Sequence, residues 1–503
     1  MLWSWLLCVI TLVATASCSN ILAIIPAPFF SHQIAFTQIW RELSLRGHQV
    51  TLVTTVPQND PNLVNLTEID MSDCFKIVTE KYQISKTAEN VLNMWNWYDI
   101  FAQINRDAAD KQMSDPRLQE LIHNRKTTNS TSFLWNRTMR SFWLLGSCMT
   151  RRRFSSLLWR VTLSSIMLWV TQRIQIMSTL YSLYVSYFEA FHVGPGKQRI
   201  IDKYFTNMTM DLNDLISNVD MMFLDVNPII QDARAIGPTT INIGMERRLP
   251  SKRPLTNDLK DFMDNAKEGF IYLSLGSNVK SRELNKASLT AIIEALRDVP
   301  YKVVWKFEAS DLPGKPNNVK IVTWAPQQTV LKHPNIKLFI TQGGLQSMEE
   351  AVYSKVPMVV IPFFFDQFHN ARIMELKDIG ITIGRKPSVK KEQLKSAILE
   401  VINNPKYRNS IRRLGRLAKD FPMTGLEKAI WWTEYILRNK GAKQLRNPTA
   451  DVPFYQYFLL DVIGFLLAIT LCILTLLYVF IKKIVHILKG IFHVKVRKGK
   501  KIQ

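Results

Sequence analysis

Twenty consecutive residues, Val462 to Ile481, carry no charge, and this run divides the chain. About 20 apolar residues are what a helix needs to cross a hydrocarbon core, so the segment is expected to span a membrane. Lys482 and Lys483 follow at once, then Lys489, Lys495, Arg497, Lys498, Lys500 and Lys501. Cations gather on the cytosolic side of a span, which puts the tail 482–503 in the cytosol and the preceding body in a lumen. The other end agrees. Met1 to about Ser19 reads as a secretory signal, an apolar run from Leu6 to Ala14 followed by small residues, with a buried N-terminal element as the alternative. The expectation is a single-pass, type I membrane protein.

A formal charge of +23 invites a nucleic-acid reading, but its location argues against one. Residues 482–503 hold eight Lys or Arg and no acid, and residues 121–188 hold nine and no acid, so seventeen of the 23 charges sit in two stretches. No nucleic-acid partner is expected. Cys8 and Cys18 fall in the signal region and Cys472 in the span, leaving Cys74 and Cys148, too few for a disulfide framework or a zinc site. The final Lys500-Lys501-Ile502-Gln503 resembles a dilysine retrieval signal of the endoplasmic reticulum; a lysine tail resting on anionic lipid is the other reading. Asn65, Asn129, Asn136 and Asn207 stand in glycosylation sequons, which suits a lumenal body.

From Asn20 onward, apolar runs alternate with helical patterns, which argues an α/β fold with parallel sheets. Asn20–Ile25 reads as a strand, Ser31 as an N-cap, 32–46 as a helix stopped by Gly47, and Gln49–Thr54 as the next strand. The pattern returns from Phe270: strands at 270–275, 302–307, 319–323, 336–341 and 357–361, helices at 284–297 and 345–353, and late helices at 391–403, 407–419 and 426–439. One of these last helices could pack back across a cleft. The Pro-, Gly- and charge-rich 237–256 reads as the linker, giving an N-terminal domain over 20–240 and a C-terminal domain over 241–450.

The most specific feature is Thr341-Gln342-Gly343-Gly344-Leu345-Gln346-Ser347-Met348-Glu349-Glu350, continuing through Pro357, Pro362, Asp366 and Gln367. A Gly-Gly turn between a strand's carboxyl end and a helix start offers free amides and the positive end of a helix dipole, a suitable seat for a diphosphate. A Gly-Gly turn alone is more often structural. The extended run resembles the signature of the UDP-glycosyltransferases, the family that includes the UDP-glucuronosyltransferases. The resemblance implies a GT-B arrangement of two facing Rossmann-like domains, with Gln342 at the diphosphate, Glu350 on the ribose, and Asp366 with Gln367 on the sugar hydroxyls. Many relatives carry His where this chain has Gln342, and Asn where it has Gln346. An amide still donates to phosphate but cannot become cationic.

Trp324-Ala325-Pro326-Gln327 resembles the family's W-x-P-Q element, with an indole to stack on uracil and Gln327 on the nucleoside. Leu275-Gly276-Ser277 matches the turn that meets the diphosphate from the other side, with Ser277 as a hydroxyl donor. The implied co-substrate is UDP-glucose or UDP-glucuronate, the acceptor a small lipophilic molecule, with homo- or hetero-oligomers found among relatives and detoxification as the implied role. No cofactor and no metal are expected, the helix start standing in for a cation.

His32 lies at the carboxyl end of the first strand, where doubly wound sheets meet ligands. Most lone histidines near a helix start are caps or surface residues; in the family, the residue at this position takes the proton from the acceptor hydroxyl as UDP leaves with inversion. Phe29, Trp95 and Trp97 are apolar candidates for an acceptor pocket, and equally for core. Relatives also hold this His with an Asp. Between Glu120 and Glu189 there is neither Asp nor Glu, and 127–177 has no sustained period and no likeness to the family. A shifted reading frame in the coding sequence, which the other two frames would reveal, is one explanation. A basic, aromatic membrane-surface element is a second, and a chain that binds UDP-sugar or an active relative without turnover is a third.

Overall fold

A computed structural model describes residues 18–83, 94–123, 131–135, 194–205, 219–244, 254–446 and 452–499, apart from positions 26, 35, 232, 234, 235, 278, 365 and 385–387. The chain through Lys443 forms one compact unit and 444–503 a second.

Two parallel sheets organise the first unit. Strands β1 (Asn20–Ile24), β2 (Gln49–Thr54), β3 (Leu66–Asp70) and β4 (Thr131–Trp135) lie in the order β3-β2-β1-β4. Two short strands, β5 (Met222–Leu224) and β6 (Thr240–Asn242), pair with each other. The larger sheet holds β7 (Phe270–Ser274), β8 (Lys302–Lys306), β9 (Val319–Val322), β10 (Ile336–Thr341), β11 (Met358–Val360) and β12 (Gly380–Thr382), ordered β9-β8-β7-β10-β11-β12. That order is the doubly wound dinucleotide-binding one. Every residue of β7 is buried, as a parallel strand covered by helices on both faces must be.

Most elements fall where the sequence puts them, and three do not. The helix expected over 32–46 is two pieces, Phe30–Ile34 and Thr37–Leu45, so Ser31 sits inside the first turn and is not an N-cap. The 127–177 stretch, in which no strand is expected, contributes β4, paired in parallel with β1 from Asn20↔Thr131 to Ile24↔Trp135. Part of the expected linker is strand β6; its stretch 245–253 lies outside the described residues, as do the signal region through 17, residues 136–193, and Asn129, Asn136 and Asn207.

The helix Gly425–Asn439 does pack back. Its Ala429 and Ile430 share a buried cluster with Ile39, Trp40 and Leu43 of the first helical layer, and Glu434 meets Arg46 at 3.2 Å and His48 at 3.8 Å. Where it starts, Gly425 lies so close to the Ile243 carbonyl that a Cβ would collide with it, and Asn227 Nδ2 donates to Ala418 O at 2.8 Å.

The second unit is dominated by one helix, Leu460–Gly499. Its stretch Leu460–Lys489 is long and apolar enough to cross a membrane.

Candidate active site

Strands β7 and β10 are neighbours from which the chain winds in opposite senses, and ligands of such sheets collect at the carboxyl edge there. Both strands end in glycine turns with left-handed backbone, Gly276 at φ 79° and Gly343 at φ 84°. Side chains are excluded for steric reasons too: a Cβ on Gly276 would collide with Gln342 Nε2, and one on Gly343 would lie 2.7 Å from Val360 Cγ1. Gln342 is buried, its Oε1 accepting from Thr341 Oγ1 at 3.0 Å. Its Nε2 therefore stands between the Gly276 and Gly344 turns. Ser277 is exposed on the rim.

The helix Leu345–Ser354 begins here with Gly344 at its N-cap, so its first amides find no capping side chain in that residue. Asp366 accepts from the Leu345 amide. Burial pushes the Asp366 carboxyl up from its ordinary value, and its hydrogen bonds, among them one from Asn370 Nδ2 at 2.8 Å, work against that shift. The same Asn370 nitrogen donates to Gly343 O at 2.9 Å, tying the Asp366 carboxylate to the glycine turn. Gln367 is buried and its Oε1 accepts from the amides of Phe363 and Phe364 at 2.8 and 3.1 Å, so its carbonyl end is already used in shaping its own loop.

On the nucleoside side, Glu350 gathers two glutamine amides, Gln327 Nε2 at 2.7 Å and Gln328 Nε2 at 3.2 Å. Gln327 also reaches Ser347 Oγ at 3.2 Å. Trp324 is 37% exposed, its indole edge-on to Phe30 with ring centroids 6.1 Å apart. Hydrogen bonds thus gather Gln327, Gln328, Ser347 and Glu350 into one group.

The neighbours of His32 meet these elements, Phe30 through Trp324 and Ser31 O through Gln346 Nε2. Ala27 and Phe29, just before it, belong to the same buried cluster as Leu275, Val279 and Phe364 of the second sheet, so Phe29 is core, stacked on Phe101 at 4.9 Å; the side chains of Trp95 and Trp97 lie outside the described residues. Burial holds the His32 ring down at about 4, leaving it neutral and proton-accepting at neutral pH. Its Nδ1 is 3.2 Å from Ser31 Oγ. No carboxylate among the described residues bonds the ring.

Sequence reasoning passed over Gln33, Asn370 and Lys306. Buried Gln33 donates to Ile25 O at 3.2 Å and Ala27 O at 2.7 Å, and accepts from Thr54 Oγ1 at 2.7 Å, fixing the loop that leads to His32. Its position beside His32 was the available signal; for Asn370, it was the one-turn spacing from Asp366.

Comparison with known proteins identifies the family. The family model described as UDP-glucoronosyl and UDP-glucosyl transferase matches residues 144–498, beginning inside the stretch that shows no likeness by eye. UDP-glucosyltransferase 2 of Dactylopius coccus is 29% identical over 96% of this chain and 95% of its own length. UDP-glucuronosyltransferase 2B17 of Rattus norvegicus is 38% identical over 49% of this chain and 48% of its own. Among solved structures, Os79 from O. sativa in complex with UDP superposes with a TM-score of 0.54 at 17% identity, covering 83% of this chain and 99% of Os79, a likeness of fold. With the family match spanning well over half of its length, the chain belongs to the UDP-glucoronosyl and UDP-glucosyl transferase family.

Proposed function

We propose that this UDP-glycosyltransferase moves glucose or glucuronate from its UDP-sugar to a hydroxyl of a small lipophilic acceptor, with inversion at the anomeric carbon. The observation that carries this reading is the pair of left-handed glycines, Gly276 and Gly343, at the ends of β7 and β10, with the Gln342 amide between Gly276 and Gly344 and the Ser31 carbonyl bonded to Gln346 of the adjoining helix. Neutral His32 takes the acceptor proton as the oxygen attacks. Departing UDP is met by the Ser277 hydroxyl, the Gln342 amide and the first amides of the helix Leu345–Ser354, so the reading needs no metal. Glu350 holds the ribose, Trp324 and Gln327 the base, and Asp366 and Gln367 the sugar. The apolar helix from Leu460 and the cations after it support a lumenal body anchored in the endoplasmic reticulum membrane.

The test is product formation by the purified full-length chain given a phenol and either UDP-glucose or UDP-glucuronate, alongside His32→Ala. Turnover with one donor, lost in the variant, is the expected result; equal rates for the two proteins would remove His32 from the base role. A second reading, binding of UDP-sugar without turnover, is favoured by one observation: the His32 ring meets the Ser31 hydroxyl where relatives use an Asp. UDP binding with no product from either donor would select it.

A further inference from the structure

Lys306 ends β8 with its side chain nine-tenths buried. A charge in such a place is costly unless it is paired and hydrogen-bonded. Its ammonium has two acceptors: Glu308 Oε1 at 2.9 Å and the carbonyl oxygen of Gly276 at 2.8 Å. Gly276 is the left-handed turn residue whose missing side chain makes room for Gln342 Nε2. In a trans peptide the C=O and N–H point to opposite sides. A cation on the Gly276 carbonyl therefore turns the Ser277 amide away from itself and polarises it, strengthening that amide as a donor to an anion.

We propose that Lys306 is a positioning residue for the donor's diphosphate: it fixes the Gly276–Ser277 peptide so that the Ser277 amide faces the phosphates, and it supplies beside that turn the positive charge that Gln342 cannot. The assignment rests on the reading of this turn as the phosphate site. Glu308, which also accepts from the Arg282 amide at 3.5 Å, shares the ammonium and moderates its charge. A residue that merely filled space would affect the nucleoside and phosphate ends of the ligand alike; Lys306 acts on the phosphates alone.

The experiment is calorimetric titration of UDP and of uridine into the detergent-solubilised full-length chain and its Lys306→Met, Lys306→Arg and Glu308→Gln forms. Lys306→Met is expected to weaken UDP roughly tenfold or more, the scale of a lost charge-assisted bond, while uridine stays within about twofold. Lys306→Arg keeps the charge and holds UDP within roughly threefold. Glu308→Gln leaves the ammonium unshared and tightens UDP by about two- to fivefold. Lys306→Met binding UDP like the wild type, or losing UDP and uridine equally, overturns the proposal. Should Lys306→Met not fold, a Glu308→Gln form with unchanged or weaker UDP binding overturns it. Wild-type protein that binds uridine but not UDP instead sinks the underlying reading of the turn, and Lys306 with it.

Discussion

Gln346 Nε2, on the first turn of the helix Leu345–Ser354, hydrogen-bonds the carbonyl oxygen of Ser31, the residue immediately before His32. The Gly-Gly motif therefore touches the His32 loop directly, through a side chain that the family resemblance assigns to the donor. Shortening it tests which duty dominates. Gln346→Asn keeps the amide but removes one methylene, so it no longer spans the gap. The expected outcome is a kcat about tenfold lower with KM for the UDP-sugar changed less than about threefold, because slight misplacement of a reacting group costs rate more than affinity. Steady-state kinetics decide it: a raised KM with kcat intact would return Gln346 to the donor alone.

Gly276→Ala asks whether the left-handed turn is needed. The substitution forces φ 79° on a residue with a Cβ and drives that Cβ into Gln342 Nε2. A stability loss of about 1–3 kcal/mol is expected from the backbone and the clash together. Loss of measurable UDP binding should accompany it. Denaturant unfolding and UDP titration measure both, and a variant of wild-type stability that binds UDP normally would show that the turn relaxes freely.

His32 gives the pH dependence. Its folded value lies near 4 against an ordinary 6.5, through burial. Above pH 6.5 the ring is neutral in folded and unfolded chain alike. As pH falls from 6.5 toward 4 the unfolded chain takes the proton first, so stability is lost on the acid side, by up to roughly 3 kcal/mol. His32→Gln should be less acid-sensitive than the wild type when unfolding is compared at pH 7 and pH 5. For the same reason the acid limb of kcat/KM should fall near pH 4, and a limb near 6.5 would mean that the ring is hydrated in the working enzyme.

Glu350→Gln removes the charge that holds two glutamine side chains, Gln327 and Gln328, in place. Affinity for the donor should drop roughly tenfold, since the two glutamine donors then face a half-donating amide and the proposed ribose contact loses its carboxylate. Because the ribose is far from the reacting bond, kcat should move by less than about threefold. A collapse of kcat at constant KM would place Glu350 in the chemistry.

Strand periodicity made β7, β8 and β10 readable because each is buried on both faces, and turn chemistry made the Gly276 and Gly343 sites readable because only glycine occupies those angles at no cost. Helices Lys391–Asn403 and Leu345–Ser354 were legible to within a residue from their apolar spacing. The fresh helix start at Thr37 was not, since no proline or glycine marks it and the Phe29 side chain's burial in the other sheet's core is a tertiary effect. Nor was β4: its place beside β1 is decided by pairing, which carries no local signature in Thr131–Trp135. Lys306 and Gln33 escaped notice because a single polar residue in an apolar strand or helix reads as surface until its partners are known.

The chain passes from one sheet to the other near Ile243 and returns near Gly425, and these two passages lie against each other, with Lys428 Nζ donating to Asn242 O at 3.4 Å. A side chain at 425 would have to push these two passages apart, so the crossings stay pressed together only while that position remains bare.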